Sequence, residues 1–235
     1  MSSRIVQIGL LAVAALIGIV AYSLMRSPAP ASAPIQSVPI QGQTPPRGEA
    51  TGGAPVAAPT VFEIQPELSA ARFIVDEILR GSPNTVVGTT NQVAGQISVN
   101  PAQPTDVQVG TILVNARTLA TDASQRNNAM RRFILETDKY EFISFTPTGV
   151  HGLPASASLG QPYTIQLVGD LTIRDATRPA VFEATITPVS ANRLEGQAAT
   201  TIRYADWGIT IIQVAFVAGV GENVRLELDL VATAV

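Results

Sequence analysis

The side chains that could carry acid–base or metal chemistry are few. His151 is the only histidine and cysteine is absent. That excludes disulfides, thiol catalysis, thiolate metal sites and any His-rich metal centre. A Ser-His-Asp arrangement would need His151 as its base. The stretch VHGLPASASLG (150–160) reads as a Gly/Pro/Ser loop, and no G-x-S-x-G elbow is present. Asp76, Glu77, Asp122, Glu136, Asp138, Asp170, Asp175 and Asp206 could hide a hydrolytic pair about 5–9 Å apart. Their places on alternating runs and in turns fit solvated strand faces instead. No Gly-rich phosphate loop occurs. The sequence therefore assigns no catalytic residue and no metal ligand. Fourteen of the 15 cations are arginine, and Arg126, Arg131 and Arg132 cluster. They read as a solvated helix face or as a docking site for anionic head groups at a cavity mouth.

The elements around these residues are mostly strands. VRLELDLVA (224–232) alternates strictly, with Val224, Leu226, Leu228 and Leu230 on one face. YTIQLVGDLTI (163–173), the run around Phe182, Ala184 and Ile186, and six further runs share the period of two. They predict about eight or nine strands, with LEGQAATTIRYADW (194–207) counted as one of them. One stretch, SQRNNAMRRFILETDKY (124–140), spaces Met130, Phe133 and Ile134 as a helix does, and predicts one or two short helices. No βαβ alternation appears. The class is all-β, a barrel or sandwich. Between two of the strands, the tip RDATRP (174–179) reads as a tight turn in which Asp175 takes positive φ, Thr177 caps and Pro179 opens the next strand.

The N-terminal quarter is different. Residues 5–25, IVQIGLLAVAALIGIVAYSLM, carry no charge and are bracketed by Arg4 and Arg26. At ~1.5 Å per residue such a helix just crosses a ~30 Å hydrocarbon core. Residues 1–26 are thus expected to be an uncleaved single-pass membrane anchor. A cleavable signal peptide is the alternative, but Pro34 follows the Ala31-Ser32-Ala33 site. Residues 27–60 hold eight of the 17 prolines and almost no large apolar side chain. Such a segment is expected to be a disordered tether. Residues 61–235 form the globular body. Residues 1–60 carry a net +2 from three arginines and Glu49, so the body carries −5 of the chain's −3 total. An acidic body argues against nucleic acid as a partner.

With these runs placed, a family resemblance becomes visible. GDLTIRDATRP (169–179) resembles the hairpin hallmark of the YceI-like family, the polyisoprenoid-binding, lipocalin-like bacterial proteins. SAARFIV (69–75), VNARTLATD (114–122) with Arg126 and MRRF (130–133), IRYADWGI (202–209) and NVRLELDLVA (223–232) resemble its other blocks, in order, over roughly 61–235. Arg126-Asn127, Phe133-Ile134 and Tyr140-Glu141 depart from the usual pattern in the central, helical block.

The resemblance implies an extended lipocalin-like antiparallel β-barrel of about eight strands enclosing a long apolar tunnel. It also implies a non-enzymatic function: binding, storage or transport of a polyprenyl lipid or isoprenoid quinone on the extracytoplasmic side of a bacterial membrane. No other cofactor is implied. The alternatives are a structural or stress-related envelope domain with a filled core, or a carboxylate-based hydrolase. Alternation selects the tunnel wall: Phe73, Val75, Leu113, Phe133, Phe142, Phe145, Tyr163, Ile165, Leu167, Leu171, Phe182, Ile186, Trp207, Leu226 and Leu228. Arg126, Arg131 and Arg132 are the candidate head-group contacts. The oligomeric state, monomer or dimer, stays open.

Terminal sequencing of the native protein checks the anchor. An intact N-terminus is expected, whereas a mature start near Leu24 or Pro34 would make residues 1–26 a signal peptide.

Overall fold

The computed structural model of the protein describes residues 27–40, 59–211 and 217–235. The apolar run 5–25 lies outside the described residues. Among those described, no helix is long and apolar enough to cross a membrane.

The body is a single curled antiparallel sheet with few helices, a half-barrel. Five long strands make most of it: β8 (Phe142–His151), β9 (Tyr163–Ile173), β10 (Ala176–Ser190), β11 (Arg193–Arg203) and β13 (Asn223–Ala234). They run in the order β8-β9-β10-β11-β13. β13 then divides its free edge. Arg225–Asp229 pair with β2 (Ala70–Leu79), and 232–234 pair with β1 (Thr60–Ile64). Outside β2 lies β3 (Ser82–Thr90), while the short β12 (Val217–Val220) continues the line of β13 along β2's inner edge, pairing at 77–79. Outside β1 lie β5 (Gln96–Val99) and β6 (Val107–Val109). β4 (Val93–Ala94) pairs with β7 (Ile112–Asn115), which pairs with β8.

The expected eight or nine strands are thus thirteen segments among the described residues. The barrel is also less closed than expected. β3 meets the β7 side only through β4 and a Thr89–Ala120 bridge. Along that seam lies the helical stretch, α1 (Ser124–Ala129) followed by a π-helical turn at Met130–Ile134. Residues Tyr204–Trp207, expected to continue a strand, form a 3-10 turn. His151 ends β8, exposed, rather than lying in the loop after it. Described residues 27–40, expected within a disordered tether, run along the body and hydrogen-bond to it.

The RDATRP tip is a two-residue turn, since Ile173 pairs with Ala176. Here the expectation is corrected. Arg174, not Asp175, takes positive φ (59°), and Pro179 lies inside β10 opposite Asp170. The reason is reach: from the strained position, Arg174 forms an ion pair with Glu136 and donates to Ile134 O at 3.4 Å. The tip thereby clips the segment after the π-helical turn onto the barrel rim. Thr177 does bond within the turn region, 2.9 Å from the Thr172 hydroxyl.

The packed core fills the lower part of the curl. Ile64, Val93, Ile165, Leu167, Ala184, Leu194, Leu230 and Ala232 are all buried. Leu167 faces Phe182 across one ladder and Val150 across the other. Leu167→Gln should therefore destabilise the fold by ~3–4 kcal/mol, because it loses packing and strands an amide. Urea unfolding of the two proteins measures the difference, and a loss below about 1 kcal/mol would place Leu167 outside the filled core.

Candidate functional site: an apolar cavity with a polar mouth

Above the filled layers the inward faces do not meet, and a cavity of about 580 Å³ remains. That lies within the ~300–1,000 Å³ of small-molecule sites. Its wall follows the period of two. β2 contributes Ala71, Phe73, Val75, Glu77 and Leu79, and β13 contributes Val224, Leu226 and Leu228. Ile143 and Phe145 come from β8, Leu171 and Ile173 from β9, Phe182 from β10 and Ile202 from β11. The Phe145 and Phe182 rings are tilted against each other, 4.8 Å between centroids, a favourable edge-biased geometry. The helical stretch closes one side with Ala129, Met130, Phe133, Ile134 and Leu135.

Of the residues expected on the wall, Phe73, Val75, Phe133, Phe145, Leu171, Phe182, Leu226 and Leu228 line this cavity. The others do not. Ile165 and Leu167 lie in the filled core. Ile186 packs against that core, and Tyr163 accepts a hydrogen bond from Ser158 N at 2.8 Å. Trp207 is buried in the hydrophobic core without lining the cavity, donating Nε1–H to Leu171 O at 3.0 Å. Leu113 and Phe142 are one residue out of phase. Their neighbours Ile112, Val114 and Ile143 line the cavity, while Phe142 is exposed. Both flanking runs are apolar on two faces, so periodicity could not choose the side. Alternation from Leu226 and Leu171 would have found Val224 and Ile173. Sequence carried no signal for Tyr204, Ile209, Ile211 and Val220, which line the cavity from turns and from an edge strand.

Polar groups gather near the helical stretch. Glu77, though charged, points inward and is buried, with its carboxylate accepting from Asn84 Nδ2 at 2.8 Å and Arg126 Nη2 at 3.1 Å. Arg126 also donates to Asp122. Gln125 and Arg126 join Glu77 on the wall. The arginine cluster thus does not act together. Arg131 turns to Leu119 O at 3.2 Å, and neither it nor Arg132 lines the cavity. Arg126 alone does, and it is shared between two carboxylates. Among the described residues no group of three or more His, Asp or Glu could hold a metal ion.

The far side of the helical stretch is held by a polar network. Glu141 accepts from Arg117 Nη1 at 2.7 Å and from Asn115 Nδ2 at 3.0 Å, and Asn115 is wholly buried. Arg117 also donates to Thr137 O and Asp138 O. Burial pushes the Glu141 carboxyl up, but hydrogen bonds from Ser32 and Asn115 and the Arg117 charge outweigh it and hold it below the ordinary range.

The comparisons with known proteins agree with this geometry. A model of the YceI-like domain family matches residues 62–232. A UPF0312 protein of Pseudomonas fluorescens is 24% identical over 128 residues, 52% of this chain and 64% of that protein. The match therefore spans less than two thirds of the relative. Two solved structures share the fold. A polyisoprenoid binding domain from Saccharophagus degradans, implicated in plant cell wall breakdown, superposes with a TM-score of 0.60 at 15% identity, covering 75% of this chain and 99% of that one. BcnA of Burkholderia cenocepacia superposes with 0.57 at 14%, covering 72% and 99%.

One glycine shapes the cavity. Gly88 pairs with Phe73 across β2 and β3, and a Cβ there would fall 2.0 Å from the Phe73 ring. The ring thus lies flat over Gly88 and leaves the space beside it open. Gly88→Val should push the ring toward the cavity and weaken binding of an apolar fluorescent probe by about tenfold, equivalent to ~1.4 kcal/mol. Titration of both proteins reads this, and unchanged affinity would show that Phe73 does not set the cavity's width.

Proposed function

The chain belongs to the YceI-like family, and on that footing we propose that it binds a long-chain isoprenoid lipid, without catalysing a reaction on it. The observation that carries this reading is the unfilled, hydrocarbon-walled cavity. Burial of each methylene is worth ~0.8 kcal/mol, so a chain of apolar units gains affinity without polar contacts, less the cost of ordering it. Both carboxylates on the cavity's lining among the described residues are already engaged, Glu77 by Asn84 and Arg126 and Glu227 by Arg225 and Arg72. That arrangement suits a fixed polar rim better than a free general acid or base.

The rim also bears on the head group. Arg126 meets two carboxylates, Glu77 and Asp122, so its charge is compensated before any ligand arrives. A phosphate there would face two negative neighbours for one cation. An uncharged head with carbonyl or hydroxyl groups, such as that of an isoprenoid quinone, avoids this repulsion and can still hydrogen-bond. The apolar run 5–25, with Arg4 and the terminal amine before it and Arg26 after it, supports an anchor that leaves the body on the outer side of a bacterial membrane, where such a domain would hold or pass on a membrane lipid.

Mass spectrometry of an organic extract of the purified full-length protein should find a polyisoprenoid species at near-stoichiometric amount. Leu226→Gln, on the open wall, should weaken titrated isoprenoid quinone tenfold or more, since an amide beside a hydrocarbon tail costs ~1–3 kcal/mol. Its melting temperature should fall far less than that of Leu167→Gln. An empty wild-type protein that takes up no isoprenoid on titration would remove this function.

A further inference from the structure

The segment 27–40, SPAPASAPIQSVPI, lies before the matched family domain and carries no charge. It is laid along the body by a series of side-chain acceptors. Ala29 N donates to Asp138 Oδ1 at 2.7 Å. Ser32 donates to Glu141 Oε1 from its backbone at 2.8 Å and from its hydroxyl at 3.0 Å. Ile35 N reaches Gln92 Oε1 at 3.4 Å, Ser37 Oγ–H donates to Glu63, and Ile40 N reaches Gln96 Oε1 at 3.2 Å. In the other direction Arg117 Nη1 donates to Pro30 O at 3.2 Å. Ile35 is 8% exposed, the one buried apolar side chain of the segment.

We propose that Glu63, Gln92, Gln96, Asp138 and Glu141 form a docking groove for an extended, uncharged, proline-rich segment, and that its occupant is the chain's own residues 29–40. The sequence of the segment fits this task. Pro28, Pro34 and Pro39 each stand directly before a donor: Ala29, Ile35 and Ile40. Proline fixes φ and has no N–H of its own, so it stiffens the chain at low entropic cost. A chain held in this extended form makes no internal hydrogen bonds, so the next amide is free for an outside acceptor. Acceptors that are charged carboxylates strengthen such bonds. A negatively charged segment would be repelled by Glu63, Asp138 and Glu141.

The groove adjoins the cavity's cover. Asp138 and Glu141 belong to the link between the π-helical turn, whose Phe133 and Ile134 line the cavity, and β8. The same link carries a left-handed residue, Glu136 (φ 47°), and a buried Thr137 hydroxyl without a partner, and the turn's Arg131 Nε likewise has none. A cover with such defects is marginally held. The docked segment braces its outer side through Asp138, Glu141 and Arg117. A pull on the segment from its N-terminal end would therefore loosen the cover. The docking itself does not depend on which ligand the cavity takes.

Hydrogen exchange of the full chain in detergent micelles tests both parts. Amides within 27–40 should exchange at least tenfold more slowly than in a synthetic peptide of that sequence, at every protein concentration. The triple variant Ala29→Pro, Ser32→Pro, Ile35→Pro removes the donors to Asp138, Glu141 and Gln92, leaving those to Glu63 and Gln96, without touching the body, whose melting confirms folding. In it, amides of residues 137–141 should exchange several-fold faster than in the wild type. Peptide-like exchange of 27–40 would overturn the docking. Protection that rises with concentration, together with a dimer in light scattering, would assign the groove to a second copy and overturn the proposal of an occupant in cis. Unchanged exchange at 137–141 in the variant would overturn the brace.

Discussion

The pairing of β13 governs the shape of the molecule. Along one edge it bonds to β11 over eleven residue pairs. Its other edge is divided: Arg225–Asp229 hold β2, and 232–234 hold β1. The two partners carry separate outer strands, β3 on one side and β5 and β6 on the other. The sheet therefore splits at β13 into two wings. Where β1 closes in, Leu230 and Ala232 meet Ile64 and Leu194 in a filled layer. Where β2 swings away, Val224, Leu226 and Leu228 face open space. A strand with a uniformly apolar face thus serves as core at one end and as cavity wall at the other. The difference lies in which neighbour each half was given.

An open upper end creates a problem that the rest of the chain addresses. Exposed apolar walls invite aggregation, and the seam between β3 and β7 is joined by the short β4 and the Thr89–Ala120 bridge rather than by a long ladder. The helical stretch answers both. It lays Met130 and Leu135 against the second apolar cluster with Ala116 and Leu119. It is itself fastened from two sides, by Arg174 of the β9–β10 tip through Glu136 and Ile134, and by Arg117 through Thr137 and Asp138. Much of the polar network among the described residues is thus engaged in positioning this cover.

How much of this was legible beforehand depends on what each residue's neighbours reveal. Strands with one polar face, such as 224–232, disclosed both their existence and their inward side, and Leu226 and Leu228 follow from alternation alone. So do Phe73, Val75, Leu171 and Phe182. Leu113 and Phe142 fall on the wrong side because ILV and FISF are apolar in both phases. Nothing local distinguishes Leu167 from Leu228, since both alternate inward. Whether an inward residue meets a filled layer or a void is decided by the divergence of β1 and β2, a long-range property. The roles within the RDATRP tip were reversed for a similar reason. Asp tolerates positive φ better than Arg, but only a distant partner, Glu136, explains why Arg174 accepts that strain.

The segment 27–40 shows the limit of composition as a guide. A proline- and alanine-rich stretch cannot build a core, and that argument still holds, since only Ile35 is buried among its side chains. It does not follow that such a stretch has no fixed place. A few backbone N–H groups, left without internal partners by the extended backbone that the prolines favour, find acceptors on a surface already folded for other reasons. The ordering entropy is low because the chain was stiff beforehand. The information that fixes the segment therefore sits in the body, in Gln92, Asp138 and Glu141, each of which reads in isolation as an ordinary solvated polar residue.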